Sequence, residues 1–229
     1  MKYNKKVLWI DIVPTIVTAI LILYFAIDRD QSLIKTLPTL ITLVVQLLLV
    51  RANKAAFLLG GANAILYGLI FFSESLYFSA LNAVVVSAPI QFFSYFNWNR
   101  KIRKGEKYIG VLKMPMRLLI IALSILGWVF CLKYLSKYIP FGRYIGADSF
   151  IFVLGLVVPI LSAFGYIESQ YINIACCVVS LGMWIVIMIE EPQNINFVLI
   201  SVYNLFRVLE ATISWTHIFK SNITQEINT

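Results

Sequence analysis

A helix must offer about 20 consecutive apolar residues to cross the hydrocarbon core of a bilayer, and this chain offers such runs one after another. Eight are read, over residues 7–27, 37–50, 55–73, 76–98, 116–135, 148–164, 169–189 and 195–216. The second is short, and its flank extends it toward Ile34. Backbone polar groups in lipid must be satisfied within the segment. The runs also lack the period-two alternation of barrel strands, so all eight are read as helices. Composition agrees: hydrophobic residues make up 60% and charged residues 13%, against about 25% charged in soluble domains. A water-soluble globule, a disordered chain and an enzyme with a separate polar catalytic domain are all excluded. The expectation is an all-α integral membrane protein with eight transmembrane helices and a single membrane domain over 1–229.

The N-terminus carries Lys2, Lys5 and Lys6 ahead of the first run, as a signal peptide would. The run from Val7 to Ile27 is too long for a signal core and has no small-x-small cleavage site after it, so it reads as a retained helix. Lys and Arg then set the orientation. The tail, Arg51 and Lys54, the connection Arg100, Lys101, Arg103, Lys104, Lys107, Lys113 and Arg117, and Lys220 hold thirteen; the opposite loops, with Arg29, Lys35, Lys133, Lys137 and Arg143, hold five. This places both termini and the basic connection in the cytoplasm. The connection has no stacking aromatic beyond Tyr108 and reads as a topology determinant beside anionic lipid, not as a nucleic-acid site. Cys131, Cys176 and Cys177 lie in apolar stretches with no CxxC or Cys/His cluster, so neither disulfides nor a metal site is expected. No cofactor is expected either.

Two stretches of the chain resemble one another. With Trp98 aligned on Trp215 the offset is 117, which sets Glu74 on Glu191 and Tyr67 on Trp184; the starts, VVQ at 44–46 and VVP at 157–159, need a gap of four. Each stretch holds three spans, one span lies between them, and the repeats are therefore parallel, related by an axis along the membrane normal. The layout is an extra helix at 7–27, a first repeat at 37–98, a linker helix at 116–135 and a second repeat at 148–216, a three-one-three plan like that of the SWEET facilitators.

At the repeat ends the residues PIQFFSYFNWNRK (89–101) and ATISW (211–215), and in the penultimate span QYINIACCVVSLGMW (170–184), the chain resembles the PnuC family of bacterial vitamin transporters. The resemblance covers about Leu37 to Trp215. It implies facilitated uptake of nicotinamide riboside across the bacterial cytoplasmic membrane, substrate trapping by a cytosolic kinase and a homotrimer, with relatives that carry thiamine, riboflavin or deoxynucleosides. The chain departs from the family pattern at Cys176, Cys177 and Ser180, and at Arg207 and Glu210, where neutral polar residues are expected.

A passage needs polar groups inside the bundle, since facing lipid is costly. Gln46, Asn63 and Tyr67, Gln91 and Tyr95, Asn173 and Trp184, and Asn204, Arg207 and Glu210 are the candidate substrate-binding residues. Asn82, Ser87, Ser180, Tyr203 and Ser214 are further polar positions. Tyr67 and Trp184 suit stacking on a planar heterocycle, with cation–π attraction for a pyridinium. Amides can pair with ribose hydroxyls. Each aromatic has the alternative of core or lipid-facing packing, and each amide that of an interhelical bond. Arg207 and Glu210, three apart, have two readings: mutual neutralisation or substrate contact. Trp9, Trp98 and Trp215 read as interfacial belt residues, and Asp11 as a partner of Lys5 or Lys6. Pro14, Pro38, Pro89 and Pro159 are kink positions. A membrane enzyme is disfavoured by the lack of HExxH, GxSxG or an acid–His pair, and primary energisation by the lack of a Walker loop. A sugar facilitator and a non-transporting accessory subunit remain as alternatives; the accessory reading expects the polar stripes to splay toward lipid.

Overall fold

The computed structural model describes residues 5–103, 109–138 and 142–227, with side chains along the first helix from Ile12. Lys2, Lys104, Lys107 and Tyr108 lie outside the described residues, as do the side chains of Lys5, Lys6, Trp9, Asp11 and Arg103. The α-helices run α1 Lys5–Asp28, α2 Leu33–Val50, α3 Ala55–Ser73, α4 Tyr77–Leu81, α5 Ala88–Arg103, α6 Met114–Lys133, α7 Ile145–Phe164, α8 Glu168–Glu190 and α9 Ile195–Ile227. Among the described residues seven stretches are long and apolar enough to span a membrane, and the part of α1 with described side chains, Ile12–Asp28, is a shorter apolar helix. The second run thus starts at Leu33, earlier than its apolar core, because Ser32 stays extended and the backbone N–H groups of Lys35 and Thr36 donate to its carbonyl.

One span departs from a uniform helix. Between α4 and α5 the chain makes a π-helical turn, Asn82–Ser87. Pro89 follows at once, and its missing N–H leaves the Val85 carbonyl without an i→i+4 donor. The start of α4 is capped from another helix: the buried Asp148 carboxylate of α7 accepts from the N–H groups of Phe78 and Ser79, each at 3.0 Å. Left-handed residues shape the connections, Asp30, Ala52 (φ 50°), Ser75 and Tyr144 among the non-glycines and Gly165 (φ 81°) after α7. Gly165 takes this conformation without a Cβ penalty, whereas Ala52 is strained by about 1–2 kcal/mol.

Apolar burial does not drive helix association in lipid, so close packing and polar cross-links must. On α3, Ala56, Gly60, Ala64 and Gly68 repeat every fourth residue and are buried. This face leaves no room for a β-carbon at Gly60, where Gln91 lies, or at Gly68, where Val84 lies, and the neighbouring Gly61 admits Phe92. Packing is by neighbours, α2 on α3, α3 on α5, α7 on α8 and α8 on α9, and between elements distant in sequence, chiefly α2 on α9 and α5 on α7. The first helix lies on α2 and α9, while α6 touches mainly α7 and leaves Leu118, Ile121, Leu126 and Phe130 exposed on an apolar outer face.

Candidate functional site

Between α2, α3, α5, α7, α8 and α9 lies a cavity of about 360 Å³. Seven of the expected residues line it: Gln46, Asn63, Tyr67, Gln91, Asn173, Trp184 and Asn204, together with Asn82, Ser87 and Ser180. Tyr95, Arg207 and Glu210 do not.

The amides are held by α2 in one case and by the same span in another. Asn63 Nδ2 donates to the Pro38 carbonyl (3.1 Å) and to Thr42 Oγ1 (2.9 Å), and Thr42 Oγ1 lies 3.2 Å from Tyr67 Oη. Gln91 Nε2 donates to Ser87 Oγ at 2.9 Å. Four lining amides keep a buried carbonyl oxygen with no partner: Asn63, Asn82, Gln170 and Asn204. Buried acceptors without donors cost roughly 1–3 kcal/mol each, so these four oxygens are acceptors open to O–H and N–H groups that enter the cavity. Every lining side chain is uncharged.

Each end of the cavity meets a packed cluster. At one end Trp184 stacks on Phe197 (4.4 Å between ring centres), Phe71 lies 6.3 Å from Trp184, and Tyr67 stacks on Phe71 at 5.6 Å. Tyr67 and Trp184 thus belong to one array, linked through Phe71 and Phe197. A charged network caps the same end. Lys35 Nζ donates to Glu74 Oε1 (2.7 Å) and Asn194 Oδ1 (3.1 Å); Asn194 Nδ2 reaches Glu74 (3.3 Å) and Glu191 (3.1 Å); Arg143 Nη1 donates to Glu191 Oε1 at 2.6 Å. The Arg143 hydrogen bond holds the Glu191 carboxyl below the usual carboxylate range and raises the guanidinium in turn.

At the other end, which carries the basic connection, Trp98 and Trp215 are fully buried with ring centres 5.5 Å apart. This corrects their reading as belt residues: each indole N–H has an interior acceptor. Trp98 Nε1 donates to the Ser162 carbonyl of α7 (3.0 Å) and Trp215 Nε1 to the Leu49 carbonyl of α2 (3.1 Å). Tyr95 lies against this cluster, its ring centre 5.8 Å from Lys54 Nζ.

Arg207 is fully buried on another face of α9. It pairs with Glu210 Oε2 at 2.5 Å, donates to Thr15 Oγ1 of α1 at 2.8 Å and covers the Tyr203 ring at 5.0 Å. The pair therefore ties α1 to α9. Sequence reasoning missed Gln170, 1% exposed in the lining. A signal was there: 170, 173, 177, 180 and 184 continue one 3-4 helical stripe. Among the described residues no group of three His, Cys, Asp or Glu is placed to hold a metal.

Comparisons with known proteins bear on this geometry. A family model described as nicotinamide mononucleotide transporter matches residues 32–217. The fold is similar to a crystal structure of the vitamin B3 transporter PnuC, with a TM-score of 0.78 at 18% identity, covering 93% of this chain and 92% of that one. No curated protein sequence matches.

Proposed function

The chain belongs to the nicotinamide mononucleotide transporter family, and from that premise we propose that it carries nicotinamide riboside across the cytoplasmic membrane by facilitated diffusion. The observation that carries the choice of nucleoside over nucleotide is the uncharged lining of the cavity. A phosphate monoester brings about 1.5–2 negative charges. Burying them with no cationic partner is prohibitive. Without the phosphate, the remaining pyridinium riboside fits both chemistries present. Its hydroxyls and carboxamide N–H groups satisfy the four bare amide oxygens, and its cationic ring sits against the array of Tyr67, Phe71, Trp184 and Phe197, where cation–π attraction contributes roughly 0.5–2 kcal/mol. About 360 Å³ lies at the small end of the roughly 300–1,000 Å³ typical of ligand pockets, a size for one nucleoside.

The halves that enclose the cavity are read as parallel repeats, 37–98 and 148–216, joined by the 116–135 helix. Reciprocity supports this. With the four-residue gap, Leu49 aligns with Ser162, so each terminal tryptophan donates to the same position of the other half. The Lys and Arg asymmetry supports cytoplasmic termini.

The test is uptake into proteoliposomes without an ion gradient, with labelled nicotinamide riboside beside nicotinamide mononucleotide, thiamine, riboflavin and a deoxynucleoside. Saturable equilibration of the riboside alone is expected. Comparable entry of the mononucleotide refutes the uncharged-cavity argument. Entry of another vitamin in place of the riboside reassigns the substrate, and no entry of any compound removes the carrier reading.

A further inference from the structure

The basic connection does more than carry charge. Its last residues, 109–113, return to the bundle as a strap. Ile109 is 3% exposed and belongs to the buried cluster that contains Trp98, Trp215, Phe57 and Ile167. Phe57 and the adjoining Leu49 also line the cavity, so Ile109 is part of the plug beneath its floor. Gly110 pairs with the turn between α7 and α8 through two backbone hydrogen bonds: its N–H donates to the Gly165 carbonyl (2.9 Å), and its carbonyl accepts from the Ile167 N–H (3.0 Å). Leu112 N–H then donates to Glu168 Oε1 at 3.1 Å. Arg117, at the start of α6, grips the same oxygen through Nε (2.8 Å) and Nη2 (2.7 Å).

We propose that residues 109–112 bolt the basic end of the cavity, with Ile109 as the plug and Glu168 as the anchor, and that passage through this end requires the strap to lift. The inference rests on the transport reading for its consequence, though not for its geometry. The cavity cannot open past Phe57 and the two indoles while an isoleucine is wedged among them. Among the described residues the polar ties that hold the strap are few: two main-chain bonds and one carboxylate. That is a short, local set, able to release without unfolding a span. Glu168 Oε2, buried and without a partner, makes the anchor asymmetric. One oxygen takes every donor, and a single substitution removes the charge behind all three bonds.

Two measurements test the proposal, both with Cys131, Cys176 and Cys177 changed to Ala. In the first, Gly110→Cys and Tyr166→Cys are introduced at the bridged pair, and oxidation to the disulfide is confirmed by mass spectrometry. Binding of nicotinamide riboside in detergent and its counterflow in proteoliposomes are measured before and after oxidation. Retained binding is expected, with exchange at least about tenfold slower when oxidised and restored by reductant; equal exchange in both states overturns the proposal. The second needs no substrate. Ile109→Cys is labelled with a charged maleimide, with and without Glu168→Gln. Slow labelling is expected, accelerated about tenfold by Glu168→Gln, since hydrogen bonds to a charged group shift an opening equilibrium by that order. Equal rates refute the anchor. Should the parent chain neither bind nor exchange the riboside, the transport reading fails, and the labelling rates alone decide whether the strap is latched.

Discussion

Gly60→Ala isolates the link between helix packing and the cavity. A β-carbon on Gly60 would stand 2.0 Å from Gln91 Oε1, where ordinary contact begins near 3.4 Å. The carboxamide must therefore retreat by about 1.4 Å or more to reach van der Waals separation. It is the end of a flexible side chain, so the backbone stays. Retreat breaks the Gln91–Ser87 hydrogen bond, a loss of about 1 kcal/mol, while Ala in place of Gly in a helix returns about the same. Stability is expected to be unchanged, measured by thermal unfolding in detergent. Affinity for the riboside is expected to fall about tenfold, or about 1.4 kcal/mol, measured by calorimetry, because the displaced amide now occupies ligand space. Gln91→Ala on top of Gly60→Ala leaves the methyl nothing to displace, so it adds no further loss. Full affinity in Gly60→Ala, or additive losses in the double variant, refutes the reasoning.

Trp184→Ala removes the ring stacked on Phe197; with the cation–π contact to the ligand worth roughly 0.5–2 kcal/mol, riboside binding should weaken by about tenfold by calorimetry, and Trp184→Phe should recover part of it. Arg207→Met removes the Arg207–Glu210 ion pair and the Arg207–Thr15 hydrogen bond, so thermal stability should fall by about 3 kcal/mol with riboside affinity unchanged, since neither Arg207 nor Glu210 lines the cavity. Glu191 is depressed by Arg143; its contribution is complete above the ordinary glutamate pKa of about 4.3 and lost as pH falls through the lower folded value. The melting temperature of the parent should therefore drop on acidification below about pH 4 more than that of Glu191→Gln.

The sequence carries the spans because lipid imposes a length on every crossing helix, and it carries much of the cavity because a buried amide is too costly to leave facing acyl chains. Gln46, Asn63, Gln91, Asn173 and Asn204 follow from that rule alone. The helix face is harder to read. Asn204 and Arg207 are three residues apart, which at about 100° per residue turns them about 60° from each other. That is enough to give one to the cavity and the other to α1. Glu74 and Glu191 align in sequence, yet nothing in the chain says that Asn194 ties their carboxylates together. The tryptophans at 98 and 215 look like belt residues because a helix end near charged neighbours is where such residues gather. Only their partners, two carbonyls on distant helices, show them to be interior. The strap is illegible for the same reason, since a short connection has no periodicity to betray what it touches.

The π-turn at Asn82–Ser87 closes its bonds from i to i+5, one residue more than an α-turn. The surplus residue is looped out locally while the helix on either side keeps its phase. Chain length can thus change by one within this turn without swinging Gln91 away from Gly60 or Phe78 away from its cap. A deletion here would narrow the space beside Asn82 and spare the rest, so the wall of the chamber can be retailored by evolution while its frame is inherited intact.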